Sequence, residues 1–274
     1  MKKVTLALLL SCFSLSLMGG IEPYPGAGAR AVGLGYAYTG IRGDWGTVFF
    51  NPAGIGGLTG PSAGVYFEQR FMLRELTYGS AGAIYPWDEG NQALGLEIRT
   101  FGFDAFRQNQ IGLAYSITLL DKISLGAKAK YANLNILDHG TAGVFLIDAG
   151  VHLQFSEELS AGFWGQNLNR AEISTTLGGV EQTPTVVSAG LTYRPTDEFL
   201  LTAEVLKEET NPLTFRGGLE YRIGSLIYTR LGVGSQPLLL TGGLGVHWEG
   251  LQLDFAYSYT EQFSSPHLSL SYQF

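Results

Sequence analysis

Residues 251–260 read Leu-Gln-Leu-Asp-Phe-Ala-Tyr-Ser-Tyr-Thr, and this stretch decides the fold class. Every odd position carries a leucine or an aromatic ring, and every even position carries a small or polar residue. Successive side chains of a β-strand point to opposite faces, so the stretch predicts a strand with one apolar and one polar face. A helix does not fit, because its apolar residues would recur every three to four positions instead of every two.

The same two-residue period recurs from residue 62 to the C-terminus. It is equally clear at 123–131, 145–154 and 213–223. Prolines fall at or beside the ends of the alternating segments, where a missing N–H donor does least harm to a sheet. We therefore predict fourteen strands: 62–70, 74–86, 91–102, 108–118, 122–134, 143–155, 158–168, 184–194, 198–207, 213–223, 225–235, 238–248, 250–261 and 265–274.

The strands suit a bilayer better than a soluble core. Each holds about ten residues, the length that a tilted strand needs to cross a membrane. Charged residues make up only 15% of the chain, and no apolar run after the N-terminus is long enough for a membrane helix. The sequence therefore predicts an all-β protein, a fourteen-stranded antiparallel transmembrane β-barrel in the outer membrane of a Gram-negative-type bacterium, in contact with its lipids.

The lengths of the links and the C-terminal sequence agree with a barrel in the outer membrane. With both termini in the periplasm, the links at 87–90, 119–121, 156–157, 195–197, 224 and 249 are short and periplasmic, whereas those at 103–107, 135–142, 169–183 and 208–212 are longer and extracellular. The chain ends on an alternating strand with Tyr272 and a terminal Phe274. This ending resembles the signal that bacterial barrels present to the barrel-assembly machinery, although a soluble β-sandwich can also end on a strand.

Residues 1–20 are predicted to be a signal peptide. Lys2 and Lys3 precede an apolar run from Val4 to Leu17, and small residues between Ser16 and Gly20 suit cleavage. A buried first helix, or a lipoprotein signal ending at Cys12, are the alternatives. Without Lys2 and Lys3 the chain keeps 15 of its 17 basic residues against 24 acidic ones, so nucleic acid is an unsuitable partner.

Residues 21–60 lack the alternation and precede the barrel, which we assign to 61–274. The segment is rich in glycine and alanine and holds the turn signal Asn51, Pro52, Ala53 and Gly54. Small residues allow close packing in a narrow space. We therefore expect this segment to enter the barrel lumen as a plug or hatch.

Many charges fall on the polar face of the predicted strands and should point into the lumen. They carry both signs, so they either pair with one another in a filled core or line a polar conduit. The residues are Glu97, Arg99, Lys128, Lys130, Asp148, His152, Arg194, Glu204, Arg216, Glu220, Arg222, Arg230, His247 and Asp254.

Catalytic and metal-binding patterns are not found in the sequence. It contains no Gly-x-Ser-x-Gly element, and its four histidines do not form a metal-ligand spacing with neighbouring acids. We therefore expect neither an enzyme nor a cofactor.

The stretch 28–58, GARAVGLGYAYTGIRGDWGTVFFNPAGIGGL, resembles the N-terminal segment of the PorV/PorQ and FadL-like outer-membrane proteins. Further matches follow in the same order along nearly the whole mature chain. They are LIDAG at 146–150, GQNLN at 165–169, PTVVSAGLTY at 184–193, GGLEY at 217–221, LTGGLGVHW at 240–248, LDFAYSY at 253–259 and HLSLSY at 267–272.

The resemblance implies a fourteen-stranded barrel whose N-terminal segment enters the lumen. PorV/PorQ relatives serve type IX protein secretion, which implies secretion-system proteins or their cargo as partners. FadL relatives take up hydrophobic molecules, which is the alternative function. This chain is shorter than typical members and its outer links are brief, so the sequence favours the PorV/PorQ-like scaffold.

Overall fold

The computed structural model describes residues 26–174, 180–209, 211–261 and 263–274. The predicted signal peptide, including Cys12, lies outside these residues. Sixteen strands are present within them, and their order follows the chain. They are β1 (Ser62–Gln69), β2 (Thr77–Trp87), β3 (Gln92–Phe103), β4 (Phe106–Leu119), β5 (Ile123–Ile136), β6 (Gly140–Gln154), β7 (Leu159–Gln166), β8 (Glu172–Ser174), β9 (Val180–Gln182), β10 (Val186–Thr196), β11 (Phe199–Glu208), β12 (Thr214–Ile223), β13 (Ile227–Ser235), β14 (Leu238–Trp248), β15 (Leu251–Thr260) and β16 (Ser264–Gln273).

Fourteen of these strands form one closed barrel. Each pairs antiparallel with the next along the wall, and β1 closes the ring by pairing with β16, where Val65 lies opposite Leu270. The fourteen-stranded antiparallel prediction is therefore confirmed, and each predicted strand agrees with an observed one to within three residues at either end.

The two faces of the wall differ as the alternation requires. Leu113, Phe145 and Leu231 point outward and are 62%, 69% and 65% exposed, while the inward-facing Glu97 and Asp148 are completely buried. A closed barrel leaves no unpaired strand edge, and this one presents apolar side chains to its surroundings, so it is built to span a bilayer. This is the architecture of bacterial outer-membrane proteins. Among the described residues, no helix is long and apolar enough to cross a membrane.

The predicted alternation of short and long links is only partly right. Three links at the end opposite the chain termini are as short as periplasmic turns: 104–105, 137–139 and 236–237. The first two of these links are short because β3 continues one residue, and β4, β5 and β6 two to three residues, further than their alternation in polarity indicated. The longest link is 167–185, which carries the unpredicted hairpin of β8 and β9. We assign this end to the cell exterior.

Residues 26–60, called the luminal segment below, pack inside the barrel. The segment contains the short helix α1 (Ala29–Gly33) and two 3-10 helices, Trp45–Phe49 and Pro52–Ile55. Its apolar side chains form a buried cluster that includes Val32, Phe49 and Phe50. The proposed domain limits at residues 20 and 60 stay a prediction. In the structure the first barrel strand starts at Ser62.

Candidate functional site

Glycines on the inner face of the wall allow the luminal segment to touch the strands. A Cβ on Gly126 would stand 2.3 Å from the backbone of Pro52 and Ala53, and one on Gly162 would stand 1.9 Å from the carbonyl oxygen of Thr39. Neither distance is sterically possible, so both positions require glycine while the segment is in place. Interior strand glycines commonly mark such a close approach of a second backbone.

The turn residues singled out in the sequence lie at the centre of this contact. Asn51 caps the 3-10 helix Pro52–Ile55, which also contains Ala53 and Gly54. Its side-chain oxygen accepts a hydrogen bond from Ala53 N at 3.0 Å, and its amide donates to Thr39 O at 3.1 Å and Val151 O at 3.0 Å. Asn51 thus joins two parts of the luminal segment to β6.

Five of the predicted luminal charges form one buried network across β3, β5 and β6. Glu97 lies 3.0 Å from Arg99 and 3.2 Å from Lys128, and Asp148 lies 2.7 Å from Lys130. Lys128 is also 3.7 Å from Asp148 and links the two pairs. Because every member is buried, removing one charge would leave its partner desolvated without compensation.

This central network also binds the luminal segment directly. Lys128 Nζ donates to the carbonyl oxygen of Val48 at 2.8 Å, and Arg99 Nη2 donates to that of Phe49 at 3.0 Å. Carbonyls left free by a short 3-10 helix are therefore satisfied by cations of the wall.

A second network lies nearer the periplasmic end. Arg30 of the luminal segment contacts Glu220 through two hydrogen bonds of 2.8 and 2.7 Å and contacts Asp44 at 2.9 Å. Arg230 lies 2.6 Å from both Glu220 and Asp254. Two arginines and three carboxylates thus alternate through the lumen. The bidentate contact of Arg30 gives the segment a fixed orientation.

His247 and Tyr38 extend this second network at its two ends. His247 Nε2 lies 3.2 Å from Asp254, and its ring stacks on Tyr228 with centroids 4.0 Å apart. The Tyr38 hydroxyl donates to Asp44 at 2.6 Å. Burial, followed by the nearby Asp44 carboxylate, raises the pKa of the Tyr38 phenol well above its usual range, so this hydroxyl stays a donor.

The remaining predicted charges lie at separate points of the lumen. Glu204 accepts hydrogen bonds from the backbone of Tyr38 at 3.0 Å and Thr39 at 2.9 Å, and Arg216 lies 3.3 Å from it. His152 Nε2 is 3.2 Å from Gly40 O. Arg194 and Arg222 lie further out, at the periplasmic end. In the described residues the lumen thus contains the luminal segment and many paired charges, and a polar cavity remains at the periplasmic end.

The polarity of the wall reverses toward the exterior, which the sequence interpretation missed. On β5, the inward Lys128 and Lys130 are followed by the inward Leu134, whereas the outward neighbours become Asn133 and Asn135. Outward amides join neighbouring strands, since Asn109 donates to Asn133 at 3.2 Å. The signal was visible in the sequence, where the period of two continues while its polar and apolar phases exchange.

The reversal creates an apolar surface inside the outer end of the barrel. We call it the outer mouth cluster, and its members are Ala132, Leu134, Val144, Leu146 and Ile173 with the partly buried Phe106, Ile136, Ala142 and Ala171. Ile173 belongs to β8 and is fully buried. The hairpin β8–β9 therefore covers an apolar patch carried by β4, β5 and β6.

Two cavities of similar size lie elsewhere. One of about 460 Å³ is an apolar groove on the lipid side of the wall, where Ala63, Ala81 and Ala83 leave space beside Leu96 and Leu270. The other, about 450 Å³, is polar and opens at the periplasmic end among residues of the luminal segment, β10, β12 and β14.

The residues of the predicted insertion signal lie at the periplasmic end of β16. Tyr272 is 42% exposed and Phe274 is 75% exposed, with their rings in edge contact at 4.8 Å. The backbone N–H of Phe274 donates to Pro61 O at 2.8 Å. The chain terminus is therefore fixed beside the start of β1, and a role in insertion stays a prediction.

Within the described part of the chain, no group of three or more histidine, cysteine, aspartate or glutamate side chains is arranged to hold a metal. Most of the charged groups form ion pairs within the wall, and the pair of Arg30 with Glu220 joins the luminal segment to it. Their geometry stabilises the filled lumen.

Comparison with solved structures places this fold among outer-membrane channels. The toluene transporter TodX of Pseudomonas putida aligns with a TM-score of 0.72 at 10% identity, covering 91% of this chain and 99% of that one. The toluene transporter TbuX of Ralstonia pickettii gives 0.67 at 14% identity with the same coverage. A FadL homologue of Pseudomonas aeruginosa gives 0.64 at 13% identity, again with 91% and 99% coverage.

No family model and no curated protein sequence matches the chain. The structural likeness, at this low identity, shows the fold alone. The FadL-like part of the predicted resemblance is thereby confirmed at the level of the fold, and the PorV/PorQ part stays a prediction. The structures it resembles are transport channels and not enzymes.

Proposed function

We propose that this protein is an outer-membrane channel for small hydrophobic molecules, closed in the described state by its luminal segment. The outer mouth cluster is the observation that carries the proposal. Lumen walls of membrane barrels are ordinarily polar, so an inward apolar patch at the entrance needs a reason. Binding of an apolar solute before it enters the barrel is such a reason.

The size and setting of the cluster suit a small ligand. Leu134, Val144 and Leu146 stand side by side on β5 and β6, and Ile173 of the hairpin covers them. Each large aliphatic side chain contributes roughly 1.5–3 kcal/mol when it is removed from water. A ligand that replaces Ile173, or inserts beside it, keeps that surface dry.

The similarity of the fold to known channels supports the same proposal. Several solved barrels that share it are described as toluene or monoaromatic hydrocarbon channels. This choice replaces the secretion scaffold as the favoured function, since the similar solved structures named above are toluene transporters and a FadL homologue.

Transport of labelled toluene into intact cells tests the proposal. Cells that lack the protein should take up toluene more slowly than cells that carry it, because the outer leaflet of the outer membrane resists apolar solutes. Leu134→Asn, which makes the mouth polar, should lower the rate severalfold. Asn133→Asp, on the same strand but on the opposite face, is the matched control and should not change it.

A result in which the deletion strain and the Leu134→Asn strain both take up toluene at the wild-type rate would rule the channel out. The amount of folded barrel in the outer membrane must be equal in all strains, which heat-dependent migration on gels can establish.

A PorV/PorQ-like partner-binding barrel is the second candidate. The filled lumen and the short outer links at 104–105, 137–139 and 236–237 favour it, because such a barrel needs no passage. Secretion of cargo with C-terminal sorting domains would fail in the deletion strain if this function is the correct one. Unchanged cargo release, together with slower toluene uptake, would exclude it.

A further inference from the structure

We infer that the polar cavity at the periplasmic end binds a small anion carrying a carboxylate or phosphate group. The cavity holds about 450 Å³, within the size range of small-molecule sites. Arg30, Arg42, Arg194 and Arg222 line it, and so do four carboxylates, Asp44 and Glu220 on the inner side and Asp197 and Glu198 in the turn at the rim. The inference is independent of the proposed transport function.

The two inner carboxylates, Asp44 and Glu220, already accept hydrogen bonds from donors inside the barrel. Asp44 accepts hydrogen bonds from Arg30 at 2.9 Å, from the Tyr38 hydroxyl at 2.6 Å and from Gly46 N at 2.8 Å. Glu220 accepts from Arg30 and from Arg230. Their oxygens are therefore occupied by donors from inside the barrel. At the rim, Glu198 lies 3.5 Å from Arg222. The Nε atoms of Arg42 and Arg222 are buried and donate no hydrogen bond.

Arg42 is the clearest example of a guanidinium group with a hydrogen-bond donor that is not used. Its guanidinium donates to the Thr118 hydroxyl at 2.8 Å, while its Nε is buried and makes no hydrogen bond. Gly57 allows this position, since a Cβ there would stand 2.7 Å from Nε. Burial lowers the pKa of Arg42, which is the expected result where desolvation outweighs the nearest opposite charge.

Arg194 and Arg222 add two further donors on the wall. Among the described residues, no carboxylate oxygen lies within 4.0 Å of Arg194, and its side chain is exposed to the cavity. Arg222 interacts with the side chain of Tyr228 and lies 3.5 Å from Glu198 at the rim, while its buried Nε donates no hydrogen bond. Planar guanidinium groups that converge on one cavity are suited to a carboxylate or a phosphate.

Titration calorimetry of the purified full-length barrel tests the site, with benzoate and inorganic phosphate as the two probes. We expect at least one probe to bind. Arg194→Ala should weaken its affinity about tenfold, as for loss of one charge-assisted hydrogen bond, and Arg194→Lys should recover part of it. Lys122→Ala is the matched control, since Lys122 is an exposed cation in another periplasmic turn.

The choice of probe separates the two sources of the anion. Benzoate binding alone assigns a carboxylate ligand, phosphate binding alone assigns a phosphate ligand, and binding of both means that the site recognises charge. Higher salt should weaken each by screening. The inference is overturned if neither probe binds the folded protein, or if Lys122→Ala and Arg194→Ala weaken binding equally.

Discussion

At the scale of single residues, the glycines on the inner face of the wall are as important as the charges for packing the luminal segment. Gly126 and Gly162 face backbone atoms of the luminal segment at distances that no side chain tolerates, whereas Gly242 has nothing within 4 Å of the position of a Cβ. The same residue type thus has opposite roles at positions on one barrel. Only the positions that face the segment depend on its presence.

Gly126→Ala should therefore destabilise the barrel with its segment in place. Overpacking a well-filled interior costs about 1–3 kcal/mol, so the melting temperature in detergent should fall by several degrees. Gly242→Ala is the control and should leave the melting temperature unchanged. Equal melting temperatures for the two variants would mean that the segment does not press against β5.

Glu220 is the residue on which the second ion-pair network depends. Glu220→Ala takes a partner from both Arg30 and Arg230, and breaking such a buried set should cost roughly 3–5 kcal/mol. Chemical unfolding in detergent measures this difference. Glu209→Ala, an exposed change of the same kind in an outer link, should cost almost nothing. A similar small loss for both would show that the network contributes little.

At the scale of elements, the strands were predictable and their contacts were not. A two-residue period is a local property, so the sequence of a segment such as 251–260 predicts a strand even when its pairing partners are unknown. The pairing of Lys128 with Asp148 depends on the register between β5 and β6, which no single segment contains. The strands β8 and β9 hold three residues each, too few for alternation to be recognised.

The luminal segment was predictable in composition but not in detail. Its glycine and alanine content indicated close packing, whereas its hydrogen bonds to Glu204, Glu220 and Lys128 join residues far apart in the sequence. The predicted charges could be assigned to the inner face of the wall, because alternation decides the face. Which ones meet is decided by three-dimensional closure of the barrel.

The hairpin β8–β9 should control access to the outer mouth cluster. Ile173→Ala removes the side chain that covers Leu134 and Leu146, so binding of an environment-sensitive apolar dye should increase. Ser174→Ala, the exposed neighbour on the same strand, should leave dye fluorescence as in the wild type. If the dye responds equally to both variants, the hairpin does not cover the apolar patch.

At the scale of the whole molecule, a closed wall surrounds a filled interior. Arg99 of β3, Lys128 of β5 and Glu220 of β12 all bind the luminal segment inside this wall. Passage of a solute through this barrel therefore requires residues 26–60 to shift. The bidentate contact of Arg30 with Glu220 and the hydrogen bonds from Lys128 and Arg99 oppose that shift.

A reversible cross-link between the luminal segment and the wall tests this account most directly. The hydroxyl oxygens of Thr39 and Ser188 lie 2.8 Å apart, and the single native cysteine, Cys12, lies in the predicted signal peptide. We predict that the Thr39→Cys, Ser188→Cys double variant takes up labelled toluene at the deletion-strain rate when oxidised and at the wild-type rate when reduced. The Ser188→Cys single variant should be insensitive to oxidation. Equal uptake by the oxidised and reduced double variant, with the disulfide verified, would contradict the account.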